Sequence, residues 1–178
     1  MAGDLRFIKK VTSTSSAASI SMTDAFSTDY TNYVLVLNHL DISGAGGENI
    51  GIRLLDSSNT EITATEYEYA AVNTRYSGAP FYLINSNSYG GSTRTTAWWE
   101  IGYMSDVSTA NVGWSAIIYT PYNSSSFTHI ISKSATDEAA TMYQHIGTHA
   151  SAEQINGLSI CVDSGVIDEC TFSIYGLN

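Results

Sequence analysis

The stretch Ile155–Asn178 constrains the fold more than any other part of the chain. Leu158, Ile160 and Val162 alternate with Ser159, Cys161 and Asp163. Beyond a Ser-Gly turn, Phe172 and Ile174 alternate with Thr171, Ser173 and Tyr175. Successive side chains of a strand point to opposite faces, so this spacing predicts a half-buried antiparallel hairpin that uses the chain end as a sheet strand. The alternation recurs upstream, in Ala18, Ile20 and Met22, in Ile50, Ile52 and Leu54, and in Trp114, Ala116 and Ile118. Tyr67 and Tyr69 fall on one face of a further strand, with Glu66 and Glu68 on the other. Tyr33 to Leu40 is almost continuously apolar, the pattern of a central strand buried on both faces. Phe81 to Ile84, Trp98 to Tyr103, Phe127 to Ser132 and Thr141 to Ile146 read as strands too. Turn-forming residues separate them at Gly44 to Gly47, Asp56 to Asn59 and Asn85 to Ser92.

No segment carries apolar residues at a period of 3.6 over a helical length. About nine or ten short strands are expected, which makes the chain all-β. The architecture expected is an antiparallel β-sandwich, jelly-roll-like, in one domain over 18–178. Residues 1–17 read as a basic N-terminal arm followed by a Ser/Thr-rich linker. At 178 residues and 43% hydrophobic, the chain supports one core.

Charge restricts the partners. The net charge is −10, and only 13% of residues are charged, about half the usual share. Three of the seven Lys and Arg residues, Arg6, Lys9 and Lys10, lie in the first ten positions. Nucleic acid is excluded as a partner, because phosphate binding needs a basic face that the body lacks. The arm instead reads either as an anchor on an acidic neighbouring subunit or as a frayed, soluble terminus. No apolar run reaches membrane-spanning length and there is no signal-peptide core. Cys161 and Cys170 fall on opposite faces of the expected hairpin, so two free thiols in a reducing compartment are expected.

Chemical motifs are scarce. His145 and His149 have the i, i+4 spacing of metal ligands on a helix, but they sit among strands, where that spacing has no such meaning. His39 lies in an apolar strand and reads as a packed histidine. Gly113 to Ile117 begins like a nucleophile elbow but lacks its closing glycine. Glu66 and Glu68 alternate with tyrosines as on any solvated strand face. Asp163, Asp168 and Glu169 lack the spacing of a calcium loop. No catalytic residue, metal ligand or cofactor is predicted, and the chain does not read as an enzyme. Tyrosine outnumbers phenylalanine twelve to five. Trp98 and Trp99 are adjacent and must point to opposite faces. With Tyr89 they are the aromatic candidates for partner contacts, stacking on a sugar ring or filling a subunit interface.

Phe172-Ser173-Ile174-Tyr175-Gly176-Leu177 resembles the closing strand of small β-sandwich proteins of tailed-phage virions. Ser19-Ile20-Ser21-Met22-Thr23, Tyr33-Val34-Leu35-Val36-Leu37 and Ile50-Gly51-Ile52-Arg53 resemble their front half in the same order. The resemblance implies a virion surface component, assembled in the host cytoplasm: a capsid decoration (cement) protein, a head fibre or the distal domain of a tail fibre. It implies a homo-oligomer, a trimer, in contact with the major capsid protein or other virion subunits. Only a short arm precedes the sandwich, which favours decoration of a shell over a fibre. The alternative is a carbohydrate-binding, receptor-recognition module of a tail fibre, with a glycan as ligand.

Overall fold

The computed structural model describes residues 4–43, 48–74, 82–84, 97–104, 113–136 and 141–178. Among them it has twelve strands and no helix: β1 (Leu5–Ser13), β2 (Ser19–Met22), β3 (Asn32–Ser43), β4 (Glu48–Leu55), β5 (Tyr67–Thr74), β6 (Tyr82–Ile84), β7 (Trp99–Met104), β8 (Gly113–Tyr119), β9 (Thr128–Thr136), β10 (Thr141–His149), β11 (Gly157–Val162) and β12 (Val166–Leu177). That exceeds the nine or ten expected, and β3 and β12 are long, at twelve residues each. Every pairing is antiparallel. Eight strands form one sheet in the order β1-β12-β3-β8-β9-β10-β5-β6, and four form a second in the order β2-β11-β4-β7. The core between them draws on both, including Leu35, Leu37, Phe172 and Ile174 from the large sheet and Ile50, Ile52, Leu158 and Ile160 from the small one. The chain is an antiparallel β-sandwich.

The tail is not a hairpin. β11 pairs with β2 and β4, whereas β12 pairs with β1 and β3, so the Asp163-Ser164-Gly165 corner carries the chain from one sheet to the other. Gly165 takes a positive φ of 70° there, a conformation open to glycine at little cost. The carboxylate of Asp163 accepts hydrogen bonds from the backbone N–H (2.9 Å) and side-chain amide (2.6 Å) of Asn49. The Ser164 hydroxyl donates to Glu48. Sandwich geometry explains the change: two apolar-faced strands stacked face to face bury their Leu, Ile and Phe rows, which a two-stranded ribbon leaves half wet.

β11 is buried on both faces, which its alternation does not predict. Glu61 and the Trp98 ring lie over the outside of the small sheet, against Ser19, Arg53 and Ser159 and against Gly51 respectively. Ser159 shares a hydrogen bond with Ser21 (2.8 Å). Arg53 pairs with Glu61 (3.0 Å) beside them. Conversely, β3 is not buried on both faces. Tyr33, Leu35 and Leu37 point inward while Val34 and Val36 stay half-buried outside. Asn38 is an extra residue in the pairing with β12, so Leu40 and Ile42 also point inward.

The basic arm and linker expected over 1–17 are, from Leu5 to Ser13, an edge strand of the large sheet. Val11 opposes Phe172 and Lys9 opposes Ile174 on the inner side. The Lys9 ammonium donates to the Thr23 carbonyl, 2.7 Å away, just past β2. That bond joins the β1 edge of one sheet to the β2 edge of the other.

Tyr67 joins the sheets at the opposite side. It lies on β5, and its buried hydroxyl accepts from Leu54 N–H (3.0 Å) on β4 and donates to the Ile62 carbonyl (2.9 Å). Its ring meets Trp99 edge-on at 5.4 Å. Burial of a phenol is tolerable there because both hydrogen-bonding roles of the hydroxyl are filled. Burial also raises its pKa well above the ordinary tyrosine value.

Cys161 and Cys170 are both free and fully buried, in different sheets. Burial pushes each thiol up to about 12. We expect no reaction with a thiol reagent in the folded chain at neutral pH and two reactive thiols per chain in denaturant; a thiol modified at the native state's full rate overturns the packing. Phe172→Ala, which empties the centre of the core, is expected to cost about 3–5 kcal/mol in urea unfolding.

Candidate functional site

Opposed residues on paired strands project to the same side of a sheet, so the registers trace rows of side chains across it. On the outer face of the large sheet one row runs Phe7, Tyr175, Val34, Ile117, Ile131, Ile146, Ala70, through seven consecutive strands. It contains no charged residue. At about 4.8 Å per strand it is about 29 Å long. Phe7 is 62% exposed, Ile146 55% and Ile131 39%. The Phe7 ring stands edge-on to Tyr175 at 5.8 Å.

The neighbouring rows are mixed. On one side lie Lys10, Ser173, Val36, Ser115, Lys133, Gln144 and Val72, in register from β1 to β5. On the other lie Asn32, Tyr119, His129, Thr148 and Glu68. At that second margin Tyr119, His129, Thr148 and Glu68 edge a shallow depression of about 450 Å³ floored by Ile131 and Ile146. The His129 ring and the Thr148 hydroxyl share a hydrogen bond (3.0 Å). An apolar centre with a polar margin is the composition of a protein interface, and a contiguous exposed apolar row is unusual on a chain that stays alone in water.

The residues singled out in the sequence are dispersed. Trp99 is fully buried, donates from Nε1 to the Thr148 carbonyl (3.2 Å) and lies on Gly147, where a Cβ would sit 2.9 Å from its ring. It is a core residue. Trp98 does point the opposite way, as adjacency requires. Its ring covers Gly51 on the outside of the small sheet, in space that a Cβ there would occupy. Tyr89 lies outside the described residues. Lys9 is taken up by the Thr23 carbonyl. Arg6 is exposed and pairs with Asp4 (3.6 Å). Lys10 alone of the three basic residues belongs to the outer face of the large sheet, flanking the apolar row. The row itself was missed in the sequence, because its members are spread from Phe7 to Tyr175 and only the registers align them.

Two histidines acquire surroundings that the sequence did not show. Both point inward from β10, but four residues of strand separate them by about 13 Å, so they cannot share an ion. His145 is buried among strands, stacked on Tyr143 at 5.9 Å, with neither ring nitrogen hydrogen-bonded. His149 lies at the strand end. Its Nε2 is 3.5 Å from Glu66 and 3.8 Å from Glu153. Among the described residues these three form the one His, Cys, Asp or Glu group close enough to share a metal ion. Comparison with protein-family models gives no match, and comparison with curated proteins gives none either.

Burial lowers the His145 pKa from 6.5 to about 4. The unfolded chain therefore takes up a proton on His145 between pH 6.5 and 4 that the folded chain refuses. Unfolding is favoured as pH falls through that window, by up to on the order of 3 kcal/mol. His145→Leu is expected to flatten this part of the stability profile, measured by urea unfolding from pH 7 to pH 4. An unchanged slope overturns the assignment.

Proposed function

We propose that the chain is a structural subunit of a tailed-phage virion, a capsid decoration or other head-surface protein that works as a homo-oligomer. The observation that carries this reading is the charge-free apolar row across the outer face of the large sheet. Copies of a chain with net charge −10 repel one another, so close contact is least costly at a patch without charges. The occupant we assign to the row is a second copy of this chain, in a trimer. The strand order supports a jelly-roll reading. β1-β12-β3-β8 faces β2-β11-β4-β7, and β9, β10, β5 and β6 extend one edge of the large sheet. Contact with the major capsid protein is the further partnership of this reading, and Lys10 and Lys133, beside the row, are the basic residues available to it. The resemblance of the front and closing strands to phage-virion sandwiches points the same way.

A receptor-recognition role in a tail fibre is favoured by one observation, the depression edged by Tyr119, His129, Thr148 and Glu68. An aromatic ring, an imidazole, a hydroxyl and a carboxylate around a shallow apolar floor suit a sugar. Tyr119→Ala would abolish glycan binding under that reading and leave assembly unchanged.

Light scattering of the purified chain is expected to give a trimer at micromolar concentration. Ile131→Lys with Ile146→Lys should return it to monomers while the unfolding midpoint of the monomer stays close to that of the parent, because both side chains lie outside the core. A monomeric parent, or a trimer indifferent to both substitutions, sinks the proposed interface. Copy number per purified particle then separates the roles: hundreds for head decoration, a few dozen or fewer for a tail appendage.

A further inference from the structure

The strand end where His149 lies has a geometry that packing alone does not explain. His149 is fully buried, with its imidazole against the Tyr67 ring at 4.9 Å. Neither ring nitrogen makes a hydrogen bond of good geometry, although the imidazole lies near the Ser151 backbone. Glu66 immediately precedes β5 and Glu153 lies in the segment following β10. The backbone bond from Ala150 N–H to the Glu66 carbonyl (2.8 Å) holds these two segments together. Both carboxylates turn towards Nε2, and the three donor atoms lie within 4.8 Å of one another. Among the described residues, neither carboxylate has a Lys or Arg ion-pair partner.

The distances separate two explanations. A charge-assisted hydrogen bond from imidazolium to carboxylate closes to about 2.7–2.9 Å. Here the separations are 3.5 and 3.8 Å. Ligands held about 2.0–2.2 Å from a tetrahedral ion lie about 3.3–3.6 Å from each other. The His149–Glu66 separation falls in that range and the His149–Glu153 separation lies just above it, both longer than a charge-assisted hydrogen bond.

We propose that Glu66, His149 and Glu153 form a divalent metal site of the Zn²⁺ class, in which the ion clasps the start of β5 to the segment after β10. One imidazole with two carboxylates selects Zn²⁺ or a similar transition ion over Ca²⁺ and Mg²⁺, which take oxygen ligands. The carboxylates are 41% and 33% exposed, so the ion has a path in from solvent and a water molecule completes its coordination. The ion offsets the convergence of two carboxylates in a chain with a large negative charge. The site is independent of the outer-face row and of the virion reading.

The test is titration of the chelator-stripped full chain with Co²⁺ and then Zn²⁺, followed by visible absorption and calorimetry. We expect one ion per chain, Co²⁺ bands of a four- or five-coordinate site that Zn²⁺ abolishes, and a rise in thermal midpoint with Zn²⁺. Glu66→Gln and Glu153→Gln, both at part-exposed side chains, should fold normally and bind Zn²⁺ at least about tenfold more weakly. His149→Gln should bind no ion; the two glutamine variants stand as the test if that chain does not fold. His39→Gln, at a histidine on β3 remote from the cluster, should bind as the parent does. No uptake of either ion by the parent overturns the site. So does uptake with parental affinity in both the Glu66→Gln and Glu153→Gln variants, or a loss caused by His39→Gln.

Discussion

Everything in this sandwich depends on β12 being hydrogen-bonded on both sides while its chain neighbour β11 lies in the opposite sheet. β12 has β1 as one partner and β3 as the other, so both ends of the chain lie in one sheet. β11 likewise sits between β2 and β4. The crossings from β1 to β2 and from β11 to β12 run side by side, joined by the paired backbone bonds of Ala17 and Ile167 (3.0 and 2.8 Å). β1 and β3 occupy the two edges of β12, and β2 and β4 those of β11.

The two sheets solve the problem of their outer faces differently. The small sheet is covered by its own chain. Glu61 and Trp98 lie over it, and Arg53, Glu61, Ser21 and Ser159 supply one another's polar partners there. Hydrogen bonding makes burial of those groups acceptable. The large sheet has no such cover over its central strands among the described residues, and there one row of outward positions is apolar while the rows beside it are mixed. That contrast is why the interaction face is assigned to the large sheet. It also explains the two tryptophans, one closing the inside of the sandwich and the other the outside of its smaller layer.

The core is closed at its margins by polar side chains that span the layers. Lys9 does so at one side through its ammonium, with its hydrocarbon stem along the sandwich edge. Tyr67 does so at the other, and Tyr69 adds a bond to Glu100 on β7 (2.8 Å). Burial raises the Glu100 pKa, and the hydrogen bond from Tyr69 partly offsets it. His149 sits in the same margin, under Tyr67. The proposed metal site thus lies where the extension of the large sheet meets the small one.

The sequence by itself determined the strand class, the inward and outward positions of most strands, the opposite pointing of Trp98 and Trp99, and the separation of the two thiols. These are consequences of a period of two, which any short window contains. It did not determine which strands pair. Its nearest-neighbour rule read Leu158–Ile174 as a ribbon, made Leu5–Ser13 an arm, and set aside His149 because no helix could bring it a second ligand. Each of those outcomes was decided by contacts distant in sequence: Ser16 with Asp168, Val11 with Phe172, Glu66 with His149. Only the tertiary structure settles these. The free energy gained by covering an apolar face and pairing an edge depends on which surfaces meet, and chain order near either residue carries no record of that.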